Sequence, residues 1–310
     1  MPKCSAPPFA RRGAPDWRTH EANWPYHEHS EFWQVGRIIW HLQRIGRGPI
    51  ALLLHGTGAG THSWAPIIPH LQDTFSLITV DLPGHGFTTA PPGYRPSLSN
   101  MTKSIAVLLR ELNLTPDLFV GHSAGAAIAI RLAVTVEKPP QLLVSVNGAL
   151  RPFPGLMRMV APITAKAAAF GGLASHLVAR NASGTARVEN LVRNIGSDPS
   201  KIDINPYSIL LQNRGHIQGA LRMMAHWDLS GLPRDIQRLT APTVFIAGAN
   251  DRAVPPSVSE GAAGQVRAGT YFELASLGHL AHEEAPDSIA SLIKQAWDRR
   301  GSKRENAQTA

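Results

Sequence analysis

The 310-residue chain contains a single cysteine, Cys4, and therefore cannot form an internal disulfide bond. A chain without disulfides is typical of a reducing compartment. The sequence also lacks an apolar run near the roughly 20 residues that a membrane-spanning helix needs. Its basic N-terminus, residues 1–17, has no apolar segment of the kind found in secretory signals. These absences predict a cytoplasmic protein.

Charged residues are scarce, at 17% of the chain, but their balance is positive, with a net charge of +8. The arginines are scattered and no nucleic-acid-binding motif accompanies them, so we expect no nucleic acid as a partner. Part of the excess lies in residues 300–310, which we expect to form a disordered basic tail. The rest would suit an anionic ligand or, at most, a peripheral contact with an anionic membrane, and an uncommitted basic surface explains it equally well.

Short apolar runs alternate with helical patterns along most of the chain. Two strands are expected to turn at Gly36 and Arg37, and further runs lie at 49–56, 75–86, 117–123, 141–148, 241–251 and 270–279. These runs lack the alternation of a half-exposed strand, which is typical of strands covered on both faces. Helical patterns lie at 63–71, 98–112, 124–136 and 284–299. The order predicts an α/β fold with a mostly parallel, doubly wound sheet.

The alternation breaks once, after the sixth predicted strand, where helical patterns replace strands. An insertion of this size predicts a helical cap over the carboxyl edge of the sheet, where open α/β sheets bind ligands. We therefore expect an N-terminal extension (1–30), a core in two parts (31–148 and 233–299), the cap (149–232) and the tail (300–310).

The segment Gly121-His122-Ser123-Ala124-Gly125 follows an apolar run and precedes a run of small apolar residues. It matches G-x-S-x-G in the strand–turn–helix context that presents a nucleophilic serine. Residues two before and two after the serine must be small there, because the turn is tight and its backbone strained. Ser123 is therefore the predicted nucleophile, and an ordinary glycine-rich turn is the alternative.

A serine nucleophile needs a base that accepts its proton and an acid that orients the base. In this arrangement the three follow in the order serine, acid, histidine. Asp251 and His279 each come just after a predicted strand, so we expect both at the same sheet edge as Ser123. The other position for the acid, after the preceding strand, holds Asn147, which is not a carboxylate. Asp81 precedes the serine and is interpreted as a turn and loop anchor.

Two further assignments complete the predicted site. His282 is an alternative base, but His279 directly follows the strand and is favoured. The oxyanion of a tetrahedral intermediate needs backbone donors, which we assign to Thr57, in the glycine-rich turn after a strand, and to Ala124.

No metal or cofactor is expected. The 14 histidines invite a metal hypothesis, but H-E-x-x-H is absent and the only dense patch, residues 27–31, is interpreted as a solvated segment. Phosphate binding by the glycine-rich turn is a poor fit, because G-x-x-x-x-G-K-[ST] does not occur.

Five motifs, HGTG, DLPGHG, GHSAG, GAND and GHLAHEEAP, together resemble the α/β-hydrolase superfamily over residues 33–298. The chain also resembles, more specifically, the magnesium-chelatase accessory family (BchO type) of bacteriochlorophyll biosynthesis. The segments that carry this resemblance include HGTGAGTHSW, NGALRPFPGL, ALRMMAHWDL and LGHLAHEE. This resemblance includes the insert, where hydrolases diverge most. It implies a role near magnesium insertion into protoporphyrin, with a tetrapyrrole as a candidate ligand and magnesium-chelatase subunits as candidate partners, but it does not supply a reaction.

The insert combines arginines with flexible apolar and aromatic side chains, among which we assign Phe153, Met157, Met223 and Trp227 to substrate binding. Such side chains beside cations would suit a flat tetrapyrrole bearing propionates. An ordinary amphipathic cap whose Met and Trp pack on the core is the alternative.

Two functions follow from these assignments. The first is an esterase-like serine hydrolase acting on a small molecule, with carbon–carbon bond hydrolysis and cofactor-free haloperoxidase chemistry left open because they use the same triad. The second is a non-catalytic accessory protein that binds a porphyrin intermediate or the magnesium chelatase.

Overall fold

The computed structural model describes residues 14–151 and 185–308, and of residues 301–308 only the backbone. The strands are β1 (Ser30–Val35), β2 (Ile38–Gly46), β3 (Ile50–Leu54), β4 (Ser76–Val80), β5 (Leu118–His122), β6 (Leu142–Val146), β7 (Thr243–Gly248) and β8 (Gly269–Leu274). The α-helices of the described residues are α1 (Trp17–His20), α2 (Ile68–Leu71), α3 (Leu98–Glu111), α4 (Ala124–Ala133), α5 (Thr185–Asn194), α6 (Ile204–Gln212), α7 (Arg214–His226), α8 (Leu232–Gln237), α9 (Pro256–Ala263), α10 (Ala281–Glu284) and α11 (Pro286–Gln308).

The strands form one sheet in the order β1-β2-β4-β3-β5-β6-β7-β8. The pairs β1–β2 and β2–β4 are antiparallel, and all the other pairs are parallel. The predicted mostly parallel sheet is therefore confirmed. From β3 the chain moves to β4 on one side and then returns to β5 on the other, which places a topological switch point between β3 and β5. Ligands bind at the carboxyl ends of the strands at such a point.

Apolar layers cover both faces of the sheet. Successive side chains of a strand point to opposite faces. Accordingly, Leu52 and Leu54 pack with helices α3, α4, α8 and α9, whereas Leu53 packs with α2 and α11 on the other face. Strands β5, β6 and β7 are buried throughout, as their continuous apolar runs predict. β8 is only half-buried, because it is an edge strand.

Two predicted helices differ from the observed ones. Most of the segment 63–71 is a 3₁₀-helix, Thr61–Ile67, which contains Pro66, and only its end is α-helical. Proline lacks the N–H that an α-helix requires in its interior, which explains the shorter helix. Helix α11 extends to Gln308, into the segment expected to be a disordered tail.

The described part of the predicted extension packs on the core. Trp17 and Trp24 are buried in a cluster with Phe32, Phe87 and Leu210. Leu210 belongs to α6, so this cluster also joins the extension to the insert. Residues 27–29 are exposed.

Helices α5, α6 and α7 lie between β6 and β7 in the chain, within the segment expected to form the cap. Helix α7 contacts the loops that follow β3 and β4: His216 bonds to the Gly58 carbonyl at 3.2 Å, and Gly219 lies against the backbone of Gly84. The placement of the whole insert as a cap stays a prediction, because residues 152–184 lie outside the described residues. None of the described helices combines the length and apolar character needed to cross a membrane.

Candidate active site

Ser123 occupies a tight turn between β5 and α4, with φ 52° and ψ −117°. A residue other than glycine seldom adopts a positive φ, so the turn is strained and must be held by its surroundings. A Cβ on Gly121 would lie 2.5 Å from the Ala126 backbone, and one on Gly125 would overlap the Leu54 carbonyl oxygen. The two glycines of G-x-S-x-G are therefore required by close backbone packing on both sides of the serine.

The structure brings the three residues of the predicted triad together. His279 Nε2 lies 3.0 Å from Ser123 Oγ, and His279 Nδ1 lies 2.8 Å from Asp251 Oδ2. All three residues are buried. The other carboxylate oxygen, Oδ1, accepts hydrogen bonds from the backbone N–H groups of Ala253 and Val254, both at 2.8 Å. An imidazole that donates to a carboxylate through Nδ1 can accept the serine proton through Nε2.

Asn147 also contributes to this arrangement. Its side-chain amide donates to Asp251 Oδ2 at 2.7 Å and to the Gly278 carbonyl at 3.3 Å. Asn147 directly follows β6 and adopts a positive φ of 47°, a conformation that asparagine tolerates better than most residues. Sequence reasoning treated Asn147 only as an unsuitable acid. Its position at the end of the strand beside β7 was the available signal that it would face Asp251.

The segment that carries His279 is held at several points. His122, the residue before the nucleophile, donates from Nε2 to the His279 carbonyl at 2.8 Å. Glu284 accepts hydrogen bonds from the Gly278 N–H at 2.9 Å and from the Asp198 N–H at 3.2 Å. Asp198 lies in the insert, so the insert contacts the histidine segment directly.

The two expected oxyanion donors lie on either side of the nucleophile in the fold, Thr57 in the glycine-rich turn after β3 and Ala124 at the start of α4. A Cβ on Gly56 would come within 3.0 Å of Ser123 Cβ, which places the glycine-rich turn beside the serine. Thr57 follows in that turn, and its hydroxyl donates to Met223 Sδ at 3.6 Å. Ala124 is the first residue of α4, where backbone N–H groups have no partner within the helix.

Of the four predicted substrate contacts, Met223 and Trp227 lie within the described residues. Met223 is fully buried, and its contact with Thr57 places it at the candidate site. Trp227 is partly buried and packs against the apolar layer that contains Met223, as the amphipathic-cap alternative expects. Phe153 and Met157 lie outside the described residues.

His282, the alternative base, bonds to a different serine. Its Nε2 lies 2.9 Å from Ser63 Oγ, whereas His279 faces Ser123. Burial lowers the pKa of His282 to about 3. The ring is therefore neutral at physiological pH.

Asp81 anchors the loops around the site. Its carboxylate accepts hydrogen bonds from the backbone N–H groups of Thr61 and Phe87 at 2.7 and 2.8 Å and faces His41 Nδ1 at 2.7 Å. Burial acts to raise the pKa of Asp81, but His41, His55 and the hydrogen bond from the Phe87 N–H together lower it to about 2. Asp81 thus remains ionised and ties the loop after β4 to the one after β3.

Neutral histidine rings surround the candidate site, a feature that sequence reasoning missed. Burial is the main cause that lowers the pKa of each of six histidines: His55, His62, His85, His122, His216 and His282.

Among residues 14–151 and 185–308, no three potential ligands are grouped so that they could hold a metal ion.

The chain is similar to known proteins in both sequence and fold. A family model for the alpha/beta hydrolase fold matches residues 49–286. The magnesium-chelatase 30 kDa subunit of Rhodobacter capsulatus is 38% identical over 280 residues, which cover 90% of this chain and 98% of that subunit. A pimeloyl-[acyl-carrier protein] methyl ester esterase of Stenotrophomonas maltophilia (strain R551-3) is 26% identical, covering 82% of this chain and 95% of the esterase. The crystal structure of a serine hydrolase involved in carbazole degradation shares the fold, with a TM-score of 0.70 and 19% identity, covering 87% of this chain and 98% of that one.

Proposed function

The chain belongs to the α/β-hydrolase fold family, and from that premise we propose that it is an esterase-like serine hydrolase with Ser123 as its nucleophile. One observation supports the proposal most strongly: His279 lies between Ser123 and Asp251, with hydrogen-bond distances of 3.0 and 2.8 Å. Nucleophile, base and acid come from three separate segments of the chain, and an elbow strained at Ser123 has no use in a protein that only binds.

In the proposed reaction, His279 Nε2 accepts the hydroxyl proton of Ser123 while Oγ attacks the acyl carbon. The new bond moves the carbonyl electrons onto oxygen, and the N–H groups of Thr57 and Ala124 stabilise that oxyanion. Asp251 stabilises the imidazolium. The imidazolium then gives its proton to the departing alcohol oxygen, and water, deprotonated by the same histidine, releases the acid. The reaction uses water and requires no cofactor.

We further propose that the substrate is a tetrapyrrole of bacteriochlorophyll biosynthesis, near the step at which magnesium is inserted. The similarity to a magnesium-chelatase subunit over nearly its full length supports this assignment. The proposed contacts are the side chains assigned from the sequence, Phe153, Met157, Met223 and Trp227. Met223, which is fully buried beside Thr57, would be uncovered when the ligand binds. Flexible thioether side chains suit such a flat, polarisable ligand.

The test is intact-mass analysis of the folded protein after exposure to a fluorophosphonate probe. A single adduct that disappears in the Ser123→Ala variant is the expected result, because the probe reacts with an activated serine. The Ser259→Ala variant, at a buried serine in helix α9 away from the triad, serves as the matched control. A folded wild-type protein that acquires no adduct would contradict the proposed nucleophile.

The similarity to a chelatase subunit also favours a second function, that of a non-catalytic partner that binds a porphyrin or the chelatase. A Rhodobacter capsulatus strain that lacks its own 30 kDa subunit separates the two functions. If the hydrolase acts in the pathway, the wild-type chain restores pigment absorbance and Ser123→Ala does not. Equal restoration by both chains would support the accessory function.

A further inference from the structure

A buried network of hydrogen-bonded side chains connects the segment after His279 to helix α6 of the insert. Glu283 lies four residues after His279 and is only 4% exposed. Its Oε1 accepts two hydrogen bonds, from Ser63 Oγ at 2.5 Å and from the Tyr207 hydroxyl at 2.6 Å. Ser63 belongs to the 3₁₀-helix Thr61–Ile67, and Tyr207 belongs to α6. One oxygen atom thus joins three segments that are far apart in the sequence.

The network of side-chain contacts continues from Ser63 to His279, the proposed base. Because the Ser63 hydroxyl donates its single hydrogen to Glu283, it accepts a hydrogen bond from His282 Nε2 at 2.9 Å. The His282 ring lies 4.4 Å from the His122 ring, which in turn lies 4.8 Å from the ring of His279. His122 also donates to the His279 carbonyl at 2.8 Å. The network therefore contacts both the backbone and the ring of His279.

Burial raises the pKa of Glu283 to about 8, although the hydrogen bonds from serine and tyrosine lower it. The titratable and charged groups that face it are Tyr207, His282, Asp203 and Glu284. A buried polar group that loses its partner is costly, so each member of this network resists displacement of the others. An apolar contact between α6 and the core would be far less directional.

We propose that Glu283 is a positioning residue that couples helix α6 to His279. When Tyr207 is bonded to Glu283, Ser63 and His282 are held in the arrangement that packs His122 against His279. Displacement of α6 frees Glu283 and allows the His279 segment to shift. The insert thereby controls the reactivity of Ser123. This proposal depends on the hydrolase function proposed above.

The experiment measures the fluorophosphonate labelling rate, and kcat and KM for a p-nitrophenyl ester, between pH 6 and 9. The variants are Tyr207→Phe, Glu283→Ala and Glu283→Gln, and the matched control is Tyr271→Phe. Tyr271 donates to Glu273 on β8, also at 2.6 Å but at the surface, so it tests the loss of a similar pair outside the network. Thermal unfolding of every variant separates loss of positioning from loss of the fold.

Tyr207→Phe and Glu283→Ala are expected to lower the labelling rate and kcat by about tenfold with less than about a twofold change in KM, because a misplaced base slows proton transfer more than binding. Glu283→Gln keeps a carbonyl oxygen at the position of Oε1 and is expected to retain nearly the wild-type rate. Tyr271→Phe should match the wild type.

Two results would overturn the proposal while leaving the hydrolase function intact. One is that Tyr207→Phe labels at the wild-type rate throughout the pH range, and the other is that Glu283→Gln is as slow as Glu283→Ala. If Glu283→Ala does not fold, Tyr207→Phe and Glu283→Gln still decide between the outcomes. A wild-type protein that is not labelled would instead overturn the hydrolase function, and this inference with it.

Discussion

The side-chain amide of Asn147 donates to Oδ2 of Asp251 at 2.7 Å, the same oxygen that faces His279. The second oxygen of Asp251 accepts two backbone hydrogen bonds, so the carboxylate has four donors around it. A carboxylate bonded in this way cannot rotate without losing several partners. We therefore expect Asn147 to help hold the Asp251 carboxylate, and through it the His279 ring, in this orientation.

Replacing Asn147 by glycine tests this relationship. Glycine tolerates the positive φ, so the variant removes the amide without adding backbone strain. A hydrogen bond to a charged group contributes about 1.5–3 kcal/mol, and we expect the fluorophosphonate labelling rate to fall by about tenfold or more. The exposed Asn194→Gly is the matched control. An unchanged rate in folded Asn147→Gly would show that the backbone donors alone orient the acid.

Asp251→Asn is expected to be far more damaging to activity than to stability. An asparagine amide would favour the wrong imidazole tautomer, and a comparable change in a serine protease lowers kcat by about 10⁴-fold. Ester hydrolysis and thermal unfolding, measured side by side, check this. Asp228→Asn, at an exposed position in the loop after α7, is the control. Retention of more than about a tenth of the activity would exclude Asp251 as the acid of the triad.

The buried histidines predict a loss of stability in acid. Burial lowers the pKa of His62 and His282 to about 3 and that of His216 to about 4, whereas a histidine in the unfolded chain titrates near 6.5. Below pH 6.5 the unfolded chain therefore binds more protons, and the free energy of unfolding falls as the pH falls. Each group contributes at most about 1.4 kcal/mol per pH unit in this window.

Urea unfolding at a series of pH values between 4 and 7 measures this slope. His62→Gln should reduce the slope, because His62 no longer titrates differently in the two states. The exposed His27→Gln should leave it unchanged. A stability that does not vary over this range would contradict neutral burial of these rings.

Glu283 predicts the opposite dependence above pH 4.5. Its pKa is raised from 4.5 to about 8 on folding, so the folded state binds the extra proton and stability is lost as the pH rises through this range. Glu283→Gln should remove that loss, so its free energy of unfolding should gain on the wild type by at most about 1.4 kcal/mol per pH unit. Parallel urea titrations between pH 5 and 9 would detect the divergence. If the free energies of unfolding of the two proteins differed by the same amount at every pH, folding would not raise the pKa of Glu283.

Glycine substitutions separate the elbow from ordinary helical positions. Gly125→Ala would drive a Cβ into the Leu54 carbonyl oxygen, and we expect a loss of about 3 kcal/mol or more. Gly261→Ala, in helix α9, meets no atom within 4 Å and should be neutral or stabilising by up to about 1 kcal/mol. Melting temperatures of the two variants make the comparison. Equal effects would show that the elbow has room for a side chain.

The sequence by itself determined the sheet and predicted the residues that meet at the candidate site. The buried strands occur in the predicted apolar runs, because burial on both faces selects uninterrupted Val, Ile and Leu locally. The turn at Ser123 could be predicted for a similar reason, since its small neighbours are required within a few residues of chain. Asp251 and His279 were identified from their place after strands, as parallel strands bring their carboxyl ends to one edge.

Only the tertiary structure decided which side chains support these residues. Asn147 meets Asp251 across 104 positions of the chain, and Ser63 meets Glu283 across 220. No local pattern reports such contacts, because they depend on how separate loops pack at the sheet edge. The pKa values of the buried histidines also depend on that packing, since desolvation is a property of the assembled surroundings rather than of the residue.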